Sequence, residues 1–130
     1  MQKTIVSTKR AISFLFSYIK KHAGAIIAGM LLLVAETPSG EPIGHVWVGL
    51  ARRNSFPGAW IYSIEVAPQQ RGKGYGRALL LAAEQATARR GVNAIGLNVF
   101  GPNTVARNLY ESAGYEVSSL QMHKTLPTPE

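Results

Sequence analysis

The chain contains no cysteine and no aspartate. The first absence excludes a disulfide framework and a thiol nucleophile. The second makes all seven acids glutamate, which excludes a Ser/His/Asp triad in its usual form and a magnesium site built on paired aspartates. Histidine is scarce as well: His22, His45 and His123 lack metal-ligand spacing and read as ordinary surface or packing residues, so no metal is expected. No apolar run reaches the roughly 20 residues that a membrane-spanning helix needs. The longest, AGAIIAGMLLLVA from Ala23 to Ala35, follows Lys20, Lys21 and His22, precedes Glu36, and reads as a buried strand or two. Basic residues ahead of an apolar core also fit the outline of a signal peptide. No small-residue cleavage site leads into a separate mature domain, however, and the expected compartment is the cytoplasm. Repeats and low-complexity tracts are missing, and only the tail at 127–130 is expected to be disordered.

The 130 residues that remain suffice for one domain, 1–130, with a single core. Their formal net charge of +7 favours an anionic partner, whether nucleic acid, a membrane surface or a phosphorylated small molecule. Part of that charge is concentrated: Arg71, Lys73 and Arg77 fall within seven residues, and no acid lies between Glu65 and Glu84.

Along the chain, KRAISFLFSYIKKH (Lys9 to His22) places Ile12, Leu15, Phe16 and Ile19 at helical spacing, with cations at its end and Gly24 beyond. AIIAGMLLLVAE then reads as a strand, TPSGEP as a turn and IGHVWVGLA as a second strand, an antiparallel hairpin; the loop RRNSFPG leads to a third strand, AWIYSIEV. After the glycine loop, YGRALLLAAEQATARR reads as a helix closed by Gly91, with Tyr75, Leu79, Ala82, Ala83 and Ala86 as its core stripe. AIGLNVF is a strand, TVARNLYESA a short helix, and YEVSSLQMHKTL a last strand. Strand, helix and strand in this order form a crossover, so Ile61–Val66 and Ala94–Phe100 are expected to run parallel. The fold class is α+β: antiparallel N-terminal strands joined to a parallel β-α-β crossover. Trp47 and Trp60 are expected to pack rather than line a pocket.

The glycine loop, Arg71-Gly72-Lys73-Gly74-Tyr75-Gly76, is neither a P-loop nor a complete dinucleotide fingerprint. Its position carries more weight than its composition. It leaves a strand and opens a helix, where unpaired N–H groups and a positive dipole end favour phosphate, and glycine lets those N–H groups approach an anion closely.

That hexapeptide resembles the [QR]-x-x-G-x-[GA] acyl-CoA pyrophosphate loop of the GCN5-related N-acetyltransferase (GNAT) superfamily. Asn103 to Tyr115, NTVARNLYESAGY, resembles the downstream signature of the same superfamily: an asparagine, then seven residues on a tyrosine within LYE, then GY. The resemblance implies a mixed sheet with splayed central strands and acetyl-CoA as co-substrate. It implies an N-acetyltransferase that moves the acetyl group to a primary amine by direct attack in a ternary complex. It places the backbone N–H groups of Arg71, Gly72, Lys73, Gly74, Tyr75, Gly76 and Arg77 on the pyrophosphate, and main-chain groups of Ile64 and Val66 on the pantetheine and acetyl region. Asn103 matches the position that bonds the arm of the cofactor. Tyr110 matches the general acid beside the sulfur, acting by hydrogen bonding as charge develops or through a lowered pKa. For the general base the pattern departs from the superfamily: Asn98, Trp60 and Tyr62 stand where relatives carry a glutamate or histidine. Glu65 and a water chain past Tyr62 or Ser63 are the candidates left.

The N-terminal part is short against the superfamily, so the acceptor wall is either open or completed by a partner, and a homodimer is expected by resemblance. Neither a membrane nor nucleic acid is the expected partner, since the sequence has no recognised nucleic-acid signature. A catalytically silent acyl-CoA-binding protein is an alternative that the Asn98 substitution permits, and a basic nucleic-acid-binding module, supported by the charge alone, is the less favoured one. The acceptor is not specified.

Overall fold

The computed structural model describes residues 29–50 and 56–130; the expected helix at 9–22 and the first residues of the first expected strand lie outside the described residues. Strand β1 (Met30–Glu36) buries Leu31, Leu33 and Ala35 and leaves the residues between them half-covered, the two-residue alternation of a strand with one face on a core. A tight turn follows, with Gly40 at φ +89° and its N–H donating to Thr37 O at 2.9 Å. Strand β2 (Pro42–Gly49) returns antiparallel to β1, and β3 (Ala59–Val66) returns antiparallel to β2. Helix α1 (Tyr75–Ala88) crosses to β4 (Ile95–Leu97), which runs parallel to β3, and helix α2 (Thr104–Ser112) follows. The sheet order is β1-β2-β3-β4.

Helix α1 covers one face of the sheet. Ala78, Leu79, Leu80, Ala82 and Ala83 join Leu31, Leu33, Ala35, Val46, Val48, Ala59 and Ile61 in a single buried cluster, with Tyr75 and Ala86 partly buried at its margin. Each large aliphatic side chain removed from water there contributes about 1.5–3 kcal/mol. Small residues on the helix let it lie close to the strands. Close approach also explains Gly44, where an added Cβ would stand 2.2 Å from Glu65 O and 3.0 Å from Leu79 Cδ1.

Two expectations are corrected. The parallel pairing covers only Ala59 to Ile61 against Ile95 to Leu97, so 62–66 and 98–100 are not its partners. Residues 115–130 adopt no regular structure, and Leu120, Met122 and Leu126 are 78%, 87% and 72% exposed. Their alternation supplies a face for a strand but not the neighbouring backbone that a strand must bond.

Candidate active site

The site begins with one extra residue in β3. Its register with β2 runs Gly44↔Val66, His45↔Glu65, Val46↔Ile64 and Trp47↔Ser63, then jumps to Val48↔Ile61, leaving Tyr62 unmatched. This bulge breaks the alternation of the strand. Ala59 and Ile61 face the core, Tyr62 and Ser63 are both exposed, and beyond them Ile64 and Val66 turn inward while Glu65 turns out. Pairing with β4 stops at Ile61↔Leu97, just where the bulge starts, so the two strands part over the rest of β3. Ala67 N–H donates to Ile43 O on β2 at 2.8 Å, so by ladder alternation the main-chain groups of Ile64 and Val66 point away from β2, into the gap. Arg71 lies on that side: its Nε donates to Val66 O at 3.0 Å.

A short 3₁₀ turn (Pro68–Gln70) carries β3 into the glycine loop. Gly72 and Gly74 have φ of +73° and +85°, and a Cβ at either would meet nothing within 4 Å. The loop therefore needs glycine for its backbone and leaves open space above it. Gly74 is the N-cap of α1 without a side-chain cap bond, and the first turn holds no acid. The first recorded intrahelical bond is Ala78 N–H to Gly74 O at 3.2 Å, so the amides of Tyr75, Gly76 and Arg77 have no acceptor within the helix. The three cations are anchored to protein atoms rather than poised over these amides. Besides the Arg71 contact, Lys73 Nζ donates to Gln70 Oε1 at 3.2 Å, and Arg77 Nη2 donates to Ser112 Oγ at the end of α2.

Helix α2 closes on the loop at Gly76, where an added Cβ would stand 3.3 Å from Leu109 Cδ2 and 3.9 Å from Val66 Cγ2. Asn103 is its N-cap: Oδ1 accepts from Ala106 N–H at 3.2 Å, which leaves the carboxamide NH₂ for another acceptor. Tyr110, next to Leu109, is buried, and desolvation raises its pKa above the usual tyrosine value, so the lowered pKa expected as one alternative is not what this environment produces. Its ring leans on that of Tyr115 with centroids 5.9 Å apart. Tyr115 Oη is fully buried without a hydrogen bond of ordinary geometry, and burial, with the Glu84 carboxylate next in effect, holds its proton strongly. The carboxyl of Glu84 is itself raised, by burial first, against a lowering contribution from Tyr115.

Glu65 stands apart from the gap. It projects from the outer face of the sheet, where Oε2 lies 3.9 Å from His45 Nε2, and that nitrogen is 3.3 Å from Ser63 Oγ. Trp47 on the same face is 43% exposed and does not pack as expected, whereas Trp60 is half-covered and meets Phe56 edge to face at 5.5 Å. The fold thus brings together Ile64, Val66, the glycine loop and α2, and sets Glu65 on the other side of β3. Sequence reasoning missed His45 and Glu84. A readable sign of the bulge existed, since apolar residues of AWIYSIEV move from odd positions 59 and 61 to even positions 64 and 66.

Comparison with known proteins identifies the family and the fold. The model of the Acetyltransferase (GNAT) family matches residues 8–115. The uncharacterized N-acetyltransferase YycN of Bacillus subtilis is 33% identical over 84 residues, 65% of this chain and 54% of that protein. A mycothiol acetyltransferase of Propionibacterium freudenreichii is 40% identical over 88 residues, 68% of this chain and 28% of that protein. The chain therefore spans about half the length of the first and less than a third of the second. The crystal structure of YycN superposes with a TM-score of 0.70 at 28% identity, over 79% of this chain and 66% of that one. AAC(6')-Iy in complex with the bisubstrate analog CoA-S-monomethyl-acetylneamine shares the fold, with a TM-score of 0.66 at 17% identity over 78% of this chain and 72% of that one.

Proposed function

The chain belongs to the Acetyltransferase (GNAT) family, and on that premise we propose that it moves an acetyl group from acetyl-CoA to a primary amine by direct attack in a ternary complex. The observation that carries this reading is the run of β3 from Tyr62 to Val66, which pairs with β2 but not with β4 and leads into a helix start opened by glycines. A diphosphate fits the open space over Gly72 and Gly74, held by the amides of residues 72–77 and the positive end of α1, while the amide of Arg71, expected to join them, already donates to Pro68 O at 3.4 Å. The pantetheine arm fits the gap, bonding main-chain groups of Ile64 and Val66 as an added strand would. Arg71 already occupies Val66 O, so it either shares that oxygen with the arm or swings toward the diphosphate.

A primary amine near pKa 10.4 is mostly protonated at neutral pH, and exposing its lone pair costs about 4–5 kcal/mol. A water chain past Tyr62 or Ser63 takes that proton; Glu65, on the other side of β3 from the gap, can receive it only through such a chain. The lone pair then forms the C–N bond at the thioester carbonyl. A β3 amide facing the gap, that of Ile64 first, bonds the oxyanion, a donor of the kind worth about 10²–10³ in rate. As the C–S bond breaks, the thiolate leaves. Its conjugate thiol has a pKa of about 8.5 and ordinary tyrosine about 10, so full transfer from Tyr110 is already uphill, and burial raises it further. Tyr110 therefore stabilises the thiolate by hydrogen bonding, and the proton returns later from solvent. Asn103 bonds the arm through its NH₂. The protein works as a homodimer on this reading, supported by the exposed apolar side chains Phe100, Val105, Leu120 and Met122.

The test is titration calorimetry with acetyl-CoA, followed by thiol release over a panel of amines. Binding with turnover is expected, and Tyr110→Phe should lower kcat about 10²-fold with little change in acetyl-CoA affinity. Binding without release from any amine would leave a silent acyl-CoA-binding protein. No heat would remove the reading altogether.

A further inference from the structure

We infer that Tyr115 is a positioning residue for Tyr110: its ring, seated by the turn that closes α2, fixes the Tyr110 ring and with it the direction of the Tyr110 hydroxyl. That this hydroxyl meets the leaving thiolate rests on the proposed function; the contact between the rings does not.

Helix α2 holds nine residues, too few to be stable on its own. Its seat on the protein is narrow: Tyr110 is its one buried residue, with Ala106 and Leu109 partly buried beside it. The direction of the Tyr110 side chain therefore depends on what closes the helix. Ala113 is the C-cap and Gly114 follows at φ +95°; Gly114 N–H donates to Glu111 O at 3.1 Å, and Tyr115 N–H donates to Tyr110 O at 3.0 Å. These two bonds, with a left-handed glycine at the corner, make a Schellman motif, whose frequent companion is an apolar contact between the two residues that its wider bond joins. Here those residues are Tyr110 and Tyr115, and their rings meet at 5.9 Å between centroids and a 55° tilt. Leu109 O is tied as well, by Ala113 N–H at 3.1 Å and by Ser112 Oγ at 2.8 Å, and the same hydroxyl accepts from Arg77 Nη2 on α1. The backbone is thus fixed on both sides of Tyr110, and only the two side-chain torsions of each ring are left for the ring contact to set.

Within Tyr115 the ring is the working part. Its Oη is buried without a hydrogen bond of ordinary geometry, so the hydroxyl holds nothing in place. The Glu84 carboxyl on α1 is near enough for each group to act on the proton of the other, which sets the Tyr115 ring between α1 and the Tyr110 ring. Nothing further along the chain backs it up: residues 116–130 are exposed and adopt no regular structure.

The experiment combines NMR of the full chain carrying carbon-13 tyrosine, acetyl-CoA calorimetry, and thiol release with the fastest amine of the panel. Tyr115→Leu should move the Tyr110 ring signals and lower kcat about tenfold, less than Tyr110→Phe does, with the Kd for acetyl-CoA unchanged. Tyr115→Phe, which restores the ring, should return the Tyr110 signals and kcat to the parent values. In the Tyr110→Phe background Tyr115→Leu should cost nothing further, because the hydroxyl it acts through is gone. A folded Tyr115→Leu chain whose Tyr110 signals stay in place overturns the inference, as does an equal loss of kcat with and without the Tyr110 hydroxyl. So does a parent spectrum lacking a nuclear Overhauser contact between the two rings, a measurement that needs no variant to fold. An unchanged kcat in Tyr110→Phe, or no thiol release from any amine, defeats the role of Tyr110 in acetyl transfer instead, and the ring signals alone then decide for or against Tyr115.

Discussion

On the proposed function Asn103 serves two demands through one side chain, and substitution can separate them. Its Oδ1 caps α2 by accepting from Ala106 N–H at 3.2 Å, while its NH₂ is the group assigned to the arm of acetyl-CoA. Asn103→Ala removes both. Loss of an N-cap costs about 1 kcal/mol, which for a chain of this size lowers Tm by about 3–5 °C. Loss of one ligand hydrogen bond, about 0.5–1.5 kcal/mol, raises the Kd for acetyl-CoA about 2–10-fold. Asn103→Ser restores only the first function, because serine caps about as well as asparagine but is too short to place a donor where the carboxamide reaches. Thermal melts by circular dichroism and calorimetry with acetyl-CoA should therefore split: Ser melts like the parent and binds like Ala. If Ser recovers affinity as well as Tm, Asn103 acts through the helix alone. If Ala melts like the parent, the cap carries no energy and the local geometry has been misjudged.

Gly44→Ala places a Cβ 2.2 Å from Glu65 O, a backbone atom that cannot rotate away, so β2 and β3 must shift; a loss of about 1–3 kcal/mol is expected in urea unfolding, and an unchanged midpoint would contradict the register. Tyr115→Phe deletes a buried hydroxyl that lacks a well-formed partner, so stability should stay level or rise by about 1 kcal/mol, whereas a clear fall in Tm would reveal a real bond to Glu84. Glu84→Gln tests linkage. The folded protein raises the pKa of Glu84 above the ordinary 4.5, so the fold binds a proton more tightly than the unfolded chain, and stability present below pH 4.5 falls as pH rises through the folded value. The variant should match the parent in acid and exceed it at neutral pH in paired urea titrations; a parent that is the more stable at neutral pH would reverse the sign.

The segments with strong local signals were legible in advance. AWIYSIEV became β3 with the bounds its punctuation suggested, and the run of helix formers after Gly74 became α1, because propensity, apolar spacing and the packing of α1 on the sheet agree there. The glycine loop was legible for the same reason, as a strand end meeting a helix start. What escaped was non-local. A two-residue period through β3 would put Ile61, Ser63 and Glu65 on one face, yet Ile61 is buried and the other two are exposed. Only the pairing with β2 shows that Tyr62 is the extra residue. His45 looked ordinary because its neighbour Glu65 is 20 positions away and reaches it through that shifted register. The expected last strand failed from the opposite side: alternation in LQMHKTL promised a face, but 115–130 finds no partner backbone among the described residues.

That extra residue also explains why the two halves of the proposed site occur together. Were Tyr62 to take its own place in a regular two-residue alternation instead of bulging, Glu65 would face the core, where a carboxylate has no partner, and Ile64 and Val66 would face outward. The ladder to β4 could continue past Ile61, closing the gap. By absorbing the extra residue, the bulge keeps Ile64 and Val66 inward so that only their main chain faces the gap, keeps Ser63 and Glu65 on the outer face beside His45, and coincides with the point where pairing to β4 ends. Electrostatics then tells the ends apart. The loop after β3 carries Arg71, Lys73 and Arg77 with the positive end of α1, and the outer face carries Glu65 beside His45. On the proposed function an anionic donor is drawn to the loop end of β3, away from the carboxylate of Glu65.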